Sequence, residues 1–324
     1  MKKKRTCPVS LVAYMQRRVQ QKRQLHKIST SDLYQVAVNH FIRFTGNPDI
    51  RLDKLTSGLI ADFRVYLQCL RLRPNTVNSY LSSLRALYHA ACREGLLDET
   101  VPSPFRFLKL RREQTAKRAI PVSLIQQVAQ LETTTTEKSE QKLAADLFLF
   151  SFMACGMPFV DLIHLTRANL HGNELVYRRR KTGTLIRLEL TAGMKQIIRR
   201  YDSGDTNQSF LFPLLAYDGL SYARYKYCLS QYNKTLKDIG RQLAFPDKLT
   251  SYVARHSWAS AALRCNVPVA IISQALGHTS EMTTRCYLSE LDVSELARAN
   301  QKVSGSIDRL LSRTSPKQRE KSYL

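Results

Sequence analysis

Along the first hundred residues the apolar positions recur three and four apart, and no stretch alternates with period two. Residues 8–26 form a basic amphipathic stretch. Residues 29–44 continue the pattern, with Ser29, Thr30 and Ser31 expected as N-caps. In residues 53–72, Leu55, Leu59, Ile60, Phe63, Val65, Tyr66, Leu67 and Leu70 keep helix-compatible spacing. Arg73-Pro74-Asn75 interrupts the pattern, and residues 76–94 resume it through Val77, Tyr80, Leu81, Leu84, Leu87, Tyr88 and Ala91. Gly95 stands where a helix C-terminal cap belongs. This part of the chain reads as a small all-helical bundle.

Residues 101–120 carry prolines near both ends and a basic run between them, so an extended, exposed connection is expected, with the domain boundary near Thr115. The four threonines at 133–136 read as a surface loop, and residues 139–155 as a strongly apolar helix central to a core. Residues 169–190 then alternate, with turns at His171-Gly172-Asn173 and Lys181-Thr182-Gly183, which predicts a three-stranded antiparallel meander. Helices return over 191–201, 222–240, 252–265, 267–275 and 281–288; after Ser304 the tail has no pattern. The expected fold is mainly α with a small antiparallel β-meander. Its parts are a helical domain over 1–100, a basic linker over 101–120, an α+β domain over 121–304 and a tail over 305–324.

Charge narrows the function. Among 324 residues, Lys and Arg number 50 against 26 Asp and Glu, a net charge of +24, while 44% of residues are hydrophobic. A folded protein with that surplus favours polyanions: nucleic acid first, an anionic membrane second. The richest apolar run, residues 147–160, is broken by Ser151, Gly156 and Pro158 and is shorter than the roughly 18 residues a membrane span needs. The basic N-terminus runs straight into Arg17 and Arg18, unlike a signal peptide. Seven cysteines without a C-x-x-C pair or a Cys/His cluster read as small buried hydrophobes of a reducing cytoplasm, with no metal site and no cofactor expected.

The chemistry concentrates in the segment TSYVARHSWASAALRCNVPVAIISQALGHTSEMTTRCYL. Arg255 sits in A-R-H-S-W-A-S, His278 in L-G-H-T-S and Tyr287 in R-C-Y-L, nine residues after His278. Breaking a phosphodiester without a metal needs a nucleophile, donors for the non-bridging oxygens and an acid for the leaving oxygen. A tyrosine can attack phosphorus and keep the strand as an ester, and of 15 tyrosines only Tyr287 follows closely on the L-G-H turn. Arg255 offers a rigid fork of N–H donors that lysine cannot reproduce. His278, in a tight turn, is placed to donate to a phosphate oxygen, and His256 to orient or pack beside Arg255.

These ordered motifs resemble the catalytic half of the tyrosine recombinases, the phage integrase family. The resemblance implies the two-domain architecture of that family, with residues 1–100 as a core-binding domain and 121–304 as a catalytic domain. It implies a site-specific DNA recombinase that cuts and rejoins strands through a 3′-phosphotyrosyl intermediate, for DNA inversion or mobile-element integration and excision. Lys181, in R-R-R-K-T-G-T, resembles the family's hairpin lysine that protonates the 5′ leaving oxygen; the alternative is a solvated cluster with Arg178, Arg179 and Arg180. The implied partners are double-stranded DNA carrying specific sites, a homo-tetramer on paired sites and accessory DNA-bending proteins, all in a cytoplasmic, nucleoid-associated setting without a membrane. A catalytically inactive DNA-binding regulator and a type IB topoisomerase are the competing readings.

Two departures from the family pattern matter. Where its members carry T-G-L-R-x-x-E-L, this chain has C-G-M-P-F-V-D-L: Pro158 replaces the first arginine, while Asp161 keeps the acidic position. The histidine three residues before Arg255 is replaced by Tyr252, which can hydrogen-bond a phosphate oxygen but is a poor general base at neutral pH. The pattern resembles a branch found on conjugative transposons and in DNA invertases. DNA contacts are expected from Arg73, Asn75, Asn78, Ser79, Ser82 and Arg85 on a groove-facing helix, and from Lys109, Arg111 and Arg112 along phosphates.

Overall fold

The computed structural model describes residues 10–97, 102–111, 113, 118–131, 140–202, 210–214, 221–245, 248–285, 301, 303–304 and 307. The threonine run at 133–136, Arg112, Tyr287 and the tail apart from Ile307 lie outside the described residues. The chain divides into two compact units, Met1–Ala116 and Lys117–Leu324. Its described elements are mainly helical, with one small antiparallel sheet.

The first unit contains α1 (Leu11–Gln24), α2 (Ile28–Thr45), a 3-10 turn at Leu52–Lys54, α3 (Ser57–Cys69) and α4 (Pro74–Arg93). The Ser10 hydroxyl caps α1 and the Thr56 hydroxyl caps α3, each accepting from a backbone N–H one turn in. Ser29, Thr30 and Ser31 do not cap α2, because that helix already begins at Ile28. Buried Ser31 instead joins two helices, donating to Val19 O of α1 at 3.1 Å and accepting from Arg23 Nε at 3.2 Å. Helix α4 starts at Pro74 itself, since a proline at the first helical position gives up no helical hydrogen bond. Phe41 and Phe63 meet edge-on at 5.1 Å within a core shared with Met15, Leu67, Leu81 and Leu87.

The connection expected to run exposed from residue 101 is folded back at its start. Phe105 is buried against Tyr88, with ring centroids 5.6 Å apart, and Leu108 and Leu110 pack on the same core. An apolar side chain every few residues is enough to hold a proline-bounded segment down.

The second unit contains α5 (Val122–Gln130), α6 (Glu140–Met153), α7 (Phe159–Leu162), β1 (Leu170–His171), β2 (Glu174–Arg178), β3 (Leu185–Glu189), α8 (Ala192–Tyr201), α9 (Tyr222–Gln242), α10 (Ser251–Arg264), α11 (Val269–Ala275) and α12 (Glu281–Arg285). The sheet order is β1-β2-β3, both pairs antiparallel, with Leu175 opposite Leu188 and Tyr177 opposite Ile186. Helix α6 packs against α5, α8, α9 and α10, which is why it is apolar on nearly every side. Its buried Asp146 accepts from Tyr201 Oη at 2.7 Å and Arg200 Nη1 at 2.5 Å, tying α6 to α8.

Of the five described cysteines only Cys228 is fully buried; Cys69 and Cys265 are exposed, and Cys92 and Cys155 are partly buried. The expectation of uniformly buried thiols is therefore corrected: Cys69 is the last residue of α3 and Cys265 directly follows α10, and both are exposed. No described helix is long and apolar enough to cross a membrane, and no group of three or more His, Cys, Asp or Glu among the described residues is placed to hold a metal ion.

Candidate active site

Helix α10 presents Arg255 to the interior, where it is 3% exposed. Its guanidinium is fixed from three sides: Nη1 donates to Gly156 O at 3.0 Å, and Nη2 donates to Leu276 O at 2.6 Å and to His278 Nε2 at 2.9 Å. Gly156, of the C-G-M-P sequence, has φ +69°, and a Cβ there would sit 2.6 Å from the Arg255 Cα. Only a glycine permits both that backbone conformation and that approach.

His278 lies in the turn between α11 and α12, after Gly277, whose φ is +63°. Because an arginine can only donate, Nε2 is the acceptor in the Arg255 contact. The imidazole proton therefore sits on Nδ1, which lies 2.8 Å from the hydroxyl of buried Thr284. Burial, then Arg255, Arg179 and Lys181 in that order, hold the His278 pKa down at about 4, so the ring is neutral at pH 7.

The β2–β3 hairpin reaches this turn. Arg178, Arg180 and Lys181 are exposed, and Lys181 lies in the turn as expected. Arg179 is not part of a solvated cluster: it is 6% exposed. Its Nε donates to Asp161 Oδ2 at 2.8 Å, and its Nη1 donates to Leu276 O, the oxygen that Arg255 also uses. The second Asp161 oxygen accepts from Arg180 N at 2.8 Å. Thr182 Oγ1 approaches Gly277 O at 3.4 Å, so the hairpin tip and the L-G-H turn touch.

Sequence reasoning missed Arg179, although a signal was present: Leu175 and Tyr177 are the buried positions of β2, and two residues on the alternation reaches 179.

Tyr252, in the first turn of α10, is 40% exposed, and its ring meets that of His256 edge-on at 4.9 Å. Burial, aided by Arg118 and Arg255, lowers the His256 pKa to about 4. Ser257 Oγ accepts from Ile120 N at 2.9 Å, anchoring the start of this unit on α10. Thus Arg255, His278 and the Lys181 hairpin converge; Tyr252 flanks them one helical turn away.

In the first unit, Arg73, Ser79, Lys109 and Arg111 are exposed and Asn75, Asn78, Ser82 and Arg85 partly so. The two asparagines hold the basic connection. Asn75 Nδ2 donates to Glu113 O at 2.9 Å and its Oδ1 accepts from Glu113 N at 3.1 Å, while Asn78 Nδ2 donates to Arg111 O at 2.7 Å. Ser79 Oγ donates to Asn75 O at 2.8 Å. The α4 face and the chain carrying Arg111 therefore form one surface.

Comparison with known proteins bears on the fold and the family. Structures of the Tn1549 transposon integrase in complex with transposon right-end DNA (TM-score 0.63, 14% identity, covering 92% of this chain and 100% of that one) and of a lambda integrase dimer bound to a COC′ core site (TM-score 0.62, 14% identity, 88% and 100%) share the fold. A lambda integrase tetramer bound to a Holliday junction also matches, with a TM-score of 0.59 and 14% identity over 87% of this chain and 78% of that one. A search of curated proteins found no match. Residues 10–107 match the phage integrase SAM-like domain, and residues 121–293, more than half of the chain, match the phage integrase family. An integrase-type fold, an Arg–His pair held at an L-G-H turn and a family match over that same segment make this chain a member of the phage integrase family, the tyrosine recombinases.

Proposed function

We propose that this chain is a site-specific DNA recombinase that cuts and rejoins strands through a 3′-phosphotyrosyl link, serving DNA inversion or mobile-element integration and excision. The observation that carries this reading is the convergence of buried Arg255, neutral His278 and the Lys181 hairpin on one turn, with Tyr287 nine residues beyond His278. In this reading Met1–Ala116 is the core-binding unit and Lys117–Leu324 the catalytic one. Arg73, Asn75, Asn78, Ser79, Ser82, Arg85, Lys109, Arg111 and Arg112 contribute the DNA-contacting surface, and accessory DNA-bending proteins assist. As with the lambda integrase tetramer on its Holliday junction, four copies act on paired sites. Absence of the first arginine, at Pro158, supports placement in the branch of conjugative-transposon integrases and DNA invertases.

The chemistry follows from the side chains. Tyr287 attacks phosphorus and loses its phenolic proton to water; the P–O5′ bond breaks, and Lys181 gives the departing 5′ oxygen its proton. The phosphotyrosyl ester keeps the bond energy for attack by a new 5′ hydroxyl. Arg255 turns its fork of donors to the non-bridging oxygens. As it does so, the Thr284 hydroxyl rotates to donate to Nδ1 of His278, and the imidazole proton moves to Nε2, aimed at the phosphate. Tyr252 adds a hydroxyl donor beside them.

The test uses a library of nicked duplexes made from the genome that encodes the chain, in which the cut strand loses the short fragment needed for rejoining. Denaturant-resistant protein–DNA adducts are expected with the natural chain and none with Tyr287→Phe, which should bind DNA equally well. Adducts that survive Tyr287→Phe would assign the nucleophile elsewhere; a natural chain that binds DNA yet yields no adducts would overturn the recombinase reading in favour of a DNA-binding regulator.

A further inference from the structure

The sequence leaves a chemical gap at Pro158, since a proline side chain has no donor for a phosphate. We propose that Arg179 fills it, acting as the second phosphate-binding guanidinium of the site. The inference rests on the recombinase reading and deepens it.

The geometry is specific. Arg179 and Arg255 come from different elements, a hairpin and a helix, yet Nη1 of one and Nη2 of the other donate to the same carbonyl oxygen of Leu276, two residues before His278. Two cationic forks gathered on one neutral oxygen repel each other, and an anion at that point relieves the repulsion. A non-bridging phosphate oxygen is such an anion, and it takes the place of the shared carbonyl as acceptor.

An ordinary buried ion pair does not account for this arrangement. Arg179 gives Asp161 only its Nε, while Asp161 fills its other oxygen with the Arg180 backbone N–H. The terminal edge of the guanidinium is thereby left facing the L-G-H turn, and no hydrogen bond from Nη2 is present among the described residues. Gly277 makes room for it: a Cβ at that position would lie 3.0 Å from Arg179 Cγ and 3.1 Å from Nη1.

The anchor and the gap share one element. Pro158 caps the short helix α7 and accepts from the Asp161 and Leu162 N–H groups at 2.9 and 3.0 Å, so the residue that replaces the arginine also presents the carboxylate that holds Arg179. Burial and the neighbouring cations depress the His278 pKa, and Arg179 is one of those cations, in keeping with its place on the same side of the site.

The test takes the duplex sequence captured by the natural chain and prepares it in two forms, one with the ordinary scissile phosphate and one with a neutral methylphosphonate in its place. Arg179→Gln, which can still hydrogen-bond Asp161, is expected to cleave the phosphate roughly 100- to 1,000-fold more slowly, with DNA binding changed less than about threefold. On the methylphosphonate, which has one anionic oxygen fewer to stabilise, the deficit should shrink by about tenfold or more. Arg179→Lys, retaining charge without the fork, should fall between. Both duplexes are offered to the same protein, so a folding defect lowers both rates equally and leaves their ratio unchanged. A Gln variant cleaving the phosphate at the natural rate, or an equal deficit on the two duplexes, overturns the assignment of Arg179. Failure of the natural chain to form any adduct overturns instead the recombinase reading beneath it.

Discussion

Gly156→Ala is the sharpest probe of how the Arg255 helix is seated. Its φ of +69° costs an L-residue roughly 1 kcal/mol. The new Cβ would also lie 2.6 Å from the Arg255 Cα, a backbone atom that cannot rotate away. Forcing an added methyl into a packed interior costs roughly another 2 kcal/mol, for a total of about 3 kcal/mol. Gly172→Ala is the control: its φ is +59°, but nothing lies within 4 Å of the added atom, so only the backbone cost of about 1 kcal/mol remains. The assay is urea unfolding followed by the fluorescence of Trp258, the single tryptophan, which lies on α10 and so reports the second unit. With a urea slope of about 3 kcal/mol per molar, the 2 kcal/mol difference places the Gly156→Ala midpoint about 0.7 M below that of Gly172→Ala. Equal midpoints for the two variants would refute the steric part of the argument. A midpoint for Gly156→Ala matching the natural chain would refute all of it.

Two further outcomes are expected. His256 and His278 both have pKa values near 4 in the folded chain against an ordinary 6.5, so between those values the unfolded chain binds more protons. Stability from these rings is therefore complete above pH 6.5 and declines as pH falls towards 4, by about 1 kcal/mol per ring once their partial exposure is counted. The melting temperature by Trp258 fluorescence at pH 7 and pH 4.5 should fall less for the His256→Asn, His278→Gln double variant; equal drops would count against it. In the first unit, replacing Asn75 and Asn78 together by alanine removes three hydrogen bonds to the backbone of Arg111 and Glu113. Trypsin should then cut after Arg111 several-fold faster than in the natural chain, while unchanged cutting would show that the asparagines do not hold this segment.

Much of the molecule was legible in the linear pattern. The bundle helices, the apolar α6 and the meander with its two turns follow from periodicity and from glycine and proline placement, because burial on one face demands a repeat that matches the backbone geometry. The motifs that carry the resemblance named Arg255, His278 and Lys181, and the fold brings Arg255, His278 and the hairpin that bears Lys181 to one turn. The folded-back start of the connection was not legible. A few apolar residues among prolines and basic residues have no period, and their burial depends on a core built from elsewhere in the chain.

The four consecutive basic residues 178–181 draw the line between the two kinds of information. Sequence by itself determined the family motif, the surplus of positive charge and a hairpin tipped with cations. It also put a proline, Pro158, where the resemblance implies the family's first arginine. Tertiary structure decided which of the four cations turns inward. Strand alternation favours Arg179, but an arginine is stable in the interior only where a carboxylate and carbonyl oxygens receive it. Asp161 on α7 and Leu276, the leucine of the L-G-H turn, do so, from 18 and 97 residues away along the chain. No local pattern encodes such a meeting: long-range packing sets it, and there the charge at the site is fixed.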